Sequence, residues 1–288
     1  MTLNFYLPNF YPNLGLICFM SDIMKQTPEC FYEDVKITSA YGCFPNSIWN
    51  GGRVFLDRIT KQQMVRTIDE LNSRGIAVRY TFTNPLIEEK HLGDTFCNMC
   101  LELADNRGNE VLVNSPVLEK YLREHYPKFT LISSTTKCLD KLEEVEAELE
   151  KDYPIVVLDS VMNNTPELFE LKHREKIELL TDHCCEDACP RRRAHYNSLG
   201  KAQLEYADCE FPPCQNSGRD FYQLMYNRSF LTNEVIHGKY KEAGFQHFKL
   251  DGRAWKYRNV LESFLYYLVK PEWRDKIRLA VLREVYKF

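Results

Sequence analysis

Five of the eleven cysteines, Cys184, Cys185, Cys189, Cys209 and Cys214, fall within one stretch of the chain. They follow a short apolar run, Ile177-Glu178-Leu179-Leu180, and the pair Asp182-His183. Thiolates brought together beyond a strand end are what a soft metal requires. Cys185-x3-Cys189 and Cys209-x4-Cys214 would supply four ligands, with Cys184 as a spare. Structural zinc takes pairs at such short spacings, and iron–sulfur clusters accept more varied ones, so the spacing leaves both open. His183 could orient a ligand or transfer a proton near neutral pH. Against this, histidine is often half buried without chemistry. Cys43 and the helical pair Cys97 and Cys100 read as small apolar packing residues.

The remaining composition narrows the partners. A net charge of −4 leaves no basic footprint for long nucleic acid, apart from the short run Arg191, Arg192, Arg193. No apolar stretch approaches the length of a membrane span. The N-terminal residues lack a basic start and are broken by Pro8 and Pro12, unlike a secretory signal. A cytoplasmic location with reduced thiols is therefore expected, and an odd cysteine count agrees.

Positioning such residues requires elements, and eight short apolar or β-branched runs recur. They cover residues 3–6, 35–39, 76–82, 110–113, 129–133, 155–158, 177–180 and 247–250. Amphipathic patterns at 62–72, 116–125, 139–151 and 255–269 alternate with them. Strands alternating with helices pair in parallel, and eight such units predict an α/β fold, a closed (β/α)8 TIM-like barrel in one domain. An open doubly wound sheet is the alternative, but no Gly-rich turn follows the first strand. Residues 7–34 and 181–246 form long connections. The second reads as a cysteine-rich insertion between the seventh and eighth strands, with helices near 195–207 and 233–243.

Active residues of a barrel gather where its strands end. The second run leads to Asn50-Gly51-Gly52-Arg53, the third to Thr83 and Asn84, the fifth to Lys137 and the sixth to Asp159. The seventh delivers Asp182 and His183, the eighth Lys249, Asp251, Gly252 and Arg253. Any one of these satisfies ordinary turn geometry. Together they read as a site, in which Lys249, Arg253, Lys137 and Arg53 would favour an anionic substrate. The competing expectation is that Lys249 makes a structural pair with Asp159 or Asp251.

At Lys249-Leu250-Asp251-Gly252-Arg253 the chain resembles the collagenase-like peptidase family, whose closing strand has the form Lys-Ile-Glu-Gly-Arg. The resemblance implies a (β/α) barrel with a cysteine cluster after a late strand. Some members act in hydroxylation and bind a 4Fe-4S cluster; Cys185, Cys189, Cys209 and Cys214 would hold it here, with zinc as the alternative metal. The usual cysteine pattern of the peptidase-labelled members, and their stretch between the cysteines, are not reproduced, which makes this chain a divergent, short relative.

Two functions of different class follow. One is an iron–sulfur enzyme of redox or hydroxylation type, acting on a small anionic substrate or modified RNA with an electron-donor protein. Lys249, Arg253, His183 and Asp159 would then be its catalytic residues. The other is a non-catalytic module in which the cysteines staple the insertion and the arginine run binds a partner. Peptide hydrolysis, the family's label, finds no legible Ser-His-Asp or Cys-His arrangement.

Overall fold

Each of the eight apolar runs becomes a strand. The computed structural model describes residues 1–105, 108–186, 188–212, 214, 218–253 and 256–287. The strands are β1 (Leu3–Pro8), β2 (Val35–Gly42), β3 (Ala77–Phe82) and β4 (Glu110–Val113). They continue as β5 (Thr130–Ser133), β6 (Val156–Val157), β7 (Ile177–Leu180) and β8 (His247–Lys249). Neighbours pair in parallel in sequence order, and β1 pairs with β8, closing the barrel. The expected (β/α)8 architecture is the observed one.

Helices form the outer layer: α1 (Leu14–Gln26), α2 (Lys61–Asn72), α3 (Thr95–Ala104), α4 (Pro116–His125) and α5 (Leu142–Leu149). After β7 come α6 (Arg192–Leu204), α7 (Phe221–Leu224) and α8 (Asn233–Val235), and after β8 come α9 (Tyr257–Leu268) and α10 (Arg274–Glu284). Local chemistry sets the boundaries. Thr60 and Gln63 make a capping box at α2, which buries Met64, Ile68 and Leu71 against the sheet. Ser115 caps α4 and Pro116 opens it. Residues 7–34, a long connection to which the sequence reading assigns no helix, contain α1. The helix expected over 233–243 breaks into α8 and a π turn at Ile236–Tyr240, where Gly238 leaves helical geometry. Trp255, the expected start of α9, lies outside the described residues. Among the described residues no helix is long and apolar enough to cross a membrane.

The main apolar core lies between sheet and helices, as alternation along β3 shows. Val78, Tyr80 and Phe82 join that core, while Arg79 and Thr81 turn into the barrel. The lumen is not purely aliphatic. Tyr6, Tyr41, Leu112, Ile132, Ile155 and Val157 cluster there. Arg79, fully buried, binds Glu110 at 2.6 Å and Glu178 at 2.5 Å and lies 3.9 Å from the centre of the Tyr6 ring. A lone buried charge would be costly, so the three groups stabilise one another only as a set.

Candidate active site

The same alternation builds the mouth. Phe248 and Leu250 face the outer core, so Lys249, Asp251 and Arg253 project inward in succession at the carboxyl end of β8. Thr81 does so from β3 and Thr83 from just past its end, and Tyr41 from β2. These side chains, with Arg53 and His183, line a cavity of about 40 Å³, room for about three waters or one small acid.

Arg53 arrives on the loop after β2 because two glycines permit it. A Cβ on Gly51 would lie 2.4 Å from the carbonyl of Thr83, and Gly52 has φ +73°. Asn50 pins the turn, accepting from Thr81 Oγ1 at 2.7 Å and donating to the Arg53 carbonyl at 2.6 Å. Arg253 donates to the Gly51 carbonyl at 3.0 Å and to Thr81 Oγ1 at 3.1 Å. Burial, and then the neighbouring charge of Arg53, hold the Arg253 pKa below its usual value. Arg53 Nε and Thr83 Oγ1 are buried without hydrogen-bond partners. Such donors are costly unless something accepts from them.

Asp251 is the opposing charge. It accepts from His183 Nδ1 at 3.0 Å, from the Cys184 amide at 3.2 Å and from the Gly252 amide at 2.7 Å. Burial works against its ionisation, but the His183 bond and the charges of His183 and Arg53 hold it well below the carboxylate range. His183 loses to burial and gains from Asp251 and Cys185, so its pKa rises to about 9. Its buried Nε2 has no conventional hydrogen-bond partner, but the Cys185 thiol lies close by. Burial raises that thiol, and His183 and Arg192 together bring it down to about 7. Cys185, His183 and Asp251 thus form a thiol–imidazole–carboxylate series, a pattern able to activate a nucleophile.

Lys249 is 4% exposed and faces the cavity. Its nearest carboxylate is Glu178, with Oε1 at 3.6 Å, and its ammonium lies 4.2 Å from the centre of the Tyr41 ring. The expected pairing with Asp159 or Asp251 does not form. Burial lowers its pKa to about 7, the Glu178 charge opposing and the Arg79 and Arg253 charges assisting.

Two expected members of the group are drawn elsewhere. Lys137 turns outward to Glu148 at 2.6 Å and to the Tyr153 hydroxyl at 3.1 Å. Asp159 is buried, caps the turn after β6 and pairs with Arg192 at the start of α6. Its role there is to hold α6 over the rim, and it does not line the cavity. The arginine run is divided: Arg192 is buried in that pair, Arg193 donates to the Cys138 carbonyl at 3.2 Å, and Arg191 is exposed.

None of the eleven cysteines forms a disulfide. Cys185 sits beside His183 and Arg192, whereas Cys209 sits 3.4 Å from the Ser198 hydroxyl, packed near Cys138 and Tyr196. Cys189 and Cys214 are partly exposed. Among the described residues no three His, Cys, Asp or Glu side chains are grouped so that they could hold a metal ion. Cys185 and Cys209 thus contact different neighbours, and no four-thiolate set with Cys189 and Cys214 is gathered among the described residues. Cys97 and Cys100 are buried in α3, with thiols pushed up by burial, as packing residues are.

Asp251 and Arg53 carry more of the site than the sequence assigned them. The two-residue step from Lys249 was the available signal for Asp251, and the Gly51-Gly52 pair for Arg53.

No family model matches the chain, and a search of the curated proteins finds no match. Among solved structures, one described as the U32 peptidase Mk0906 is similar in fold. It aligns over 88% of this chain and 93% of its own, with a TM-score of 0.51 and 16% sequence identity. At that identity the likeness carries the closed eight-stranded barrel, and in fold this chain is similar to that peptidase.

Proposed function

We propose that the barrel mouth is the active site of an enzyme whose substrate is small and anionic. The observation that carries this reading is the pair Arg53 and Arg253, two half-buried guanidiniums facing one cavity with Asp251 as the carboxylate in its lining. His183, its pKa raised to about 9, adds further positive character. Arg53 Nε and Thr83 Oγ1, buried without hydrogen-bond partners, are donors from which an anion can accept. The His183–Asp251 pair supplies a group able to move a proton at the substrate.

The test is equilibrium titration with oxalate. Arg253→Gln should weaken binding by about 10- to 100-fold, the loss expected for one charged hydrogen bond in a buried site. Equal binding by the variant would remove the anion seat from this place.

A peptidase reading is favoured by a separate observation, the Cys185 thiol beside His183, whose Nδ1 is bound to Asp251. The similar structure carries the peptidase name, and the thiol could attack a carbonyl carbon in such a reaction. Peptide hydrolysis lost in Cys185→Ala and retained in Cys184→Ala would support it; equal hydrolysis by both variants would end it.

A further inference from the structure

Lys249 is not explained by anion binding alone. Its amine faces the cavity yet is poorly compensated for a charged group. Glu178 Oε2 is taken by Arg79 at 2.5 Å, and Oε1, which makes no hydrogen bond, stands 3.6 Å from Lys249 Nζ. Two guanidiniums, Arg79 and Arg253, act on it in the other direction. The aromatic face of Tyr41, 4.2 Å away, attracts a cation but accepts no conventional hydrogen bond, and the hydroxyl of that ring is committed to the Leu250 carbonyl at 2.7 Å. An amine held this way is presented as a neutral nucleophile.

We infer that Lys249 is a catalytic amine that forms an imine with the carbonyl group of a short oxo acid, whose carboxylate is held by Arg253 and Arg53. This rests on the anion seat proposed above and names its substrate class. Lys249 and Arg253 lie against the same Tyr41 ring, at 4.2 and 5.9 Å from its centre, so an acid bound to the arginine presents an adjacent carbonyl toward the amine. The cavity of about 40 Å³ suits an acid of a few heavy atoms. In the reaction the Lys249 lone pair forms the new C–N bond and the carbonyl electrons move to oxygen. Both amine protons then leave with that oxygen as water, Glu178 Oε1 being the nearest base to pass them. The depressed pKa of Lys249, about 7, supplies the free amine at neutral pH.

The experiment uses the full chain with glyoxylate and sodium borohydride, read by intact mass and by peptide mapping. One carboxymethyl group on Lys249, acquired ahead of the surface lysines, is the expected result. Lys249→Arg, which retains the charge, and Lys249→Met should both lose that adduct, with folding checked by circular dichroism. Labelling of the wild type spread over surface lysines, with Lys249 unmodified, overturns the inference. Oxalate, which carries no aldehyde or ketone, separates the two proposals. Oxalate binding without a Lys249 adduct removes the imine and keeps the anion seat; absence of both removes both.

Discussion

Asp182 and Asp251 touch through one hydrogen bond, from the Asp251 amide to Asp182 Oδ1 at 2.7 Å, yet are driven in opposite directions. Burial raises Asp182 to about 7, against the bond from Ser263, while His183 and Arg53 keep Asp251 ionised. The folded state therefore favours protonated Asp182. Its contribution to stability is complete below the unfolded pKa near 4 and is lost as pH rises through about 7. Asn at this position should flatten that decline, on the order of 4 kcal/mol at most for three pKa units, in denaturant midpoints measured from pH 4 to 8. Lys249 has the opposite sign, since burial depresses a base. Among Glu178, Arg79, Arg253, Asp251 and Tyr41, which face it, the carboxylates and the Tyr41 ring face favour its charge, while burial and the two guanidiniums oppose it. Borohydride labelling should therefore climb through pH 7; a rise only near the ordinary lysine value would contradict that environment.

At the scale of elements, two devices place the site. The first is the loop after β2, where Gly51 lies against the β3 end so closely that any side chain meets backbone. Gly51→Ala should destabilise the fold by about 1–3 kcal/mol and weaken oxalate binding, because Arg53 moves with its loop. Retention of both properties would show that the loop does not set the arginine. The second is α6, fastened across the rim by Arg192 to Asp159, by the Gly200 carbonyl accepting from Asn84 at 3.0 Å, and by Gln203 accepting from the Phe55 amide at 2.8 Å. Arg192→Met alone should cost about 3–5 kcal/mol by stranding Asp159, and Arg192→Met with Asp159→Leu should recover much of it. Chemical unfolding of the single and double variants reads this directly. The same helix separates the thiols: Cys185 and Cys189 precede it, and Cys209 packs against its side at Ser198. Cys209→Ser is therefore expected to leave the iron and zinc content of anaerobically prepared protein unchanged, and a fall in metal content would show that these loops close into a ligand set.

For the whole molecule, the barrel was legible because its strands are buried on both faces and stand out as short β-branched runs. Helix α1 was not, since Pro8 and Pro12 mark its approach as loop and only part of it is buried. The polar lumen was hidden for a different reason. Glu178 sits in an otherwise apolar run, and its partner Arg79 comes from a strand far away in the chain. The candidate site was legible as a set of polar strand ends, including Lys249, Arg253 and His183. Which charges meet was not: Asp159 and Lys137 lie at strand ends like the others, and α6 and α5 claim them. Pairings of that kind depend on side-chain reach and helix placement, which no periodicity encodes.

The most direct measurement is a crystal structure of the protein with oxalate bound. The anion is expected in the mouth, its oxygens within hydrogen-bond distance of Arg53 Nε and the Arg253 guanidinium and within reach of Thr83 Oγ1. Oxalate bound elsewhere, with Arg53 and Arg253 turned to other partners, would contradict that placement.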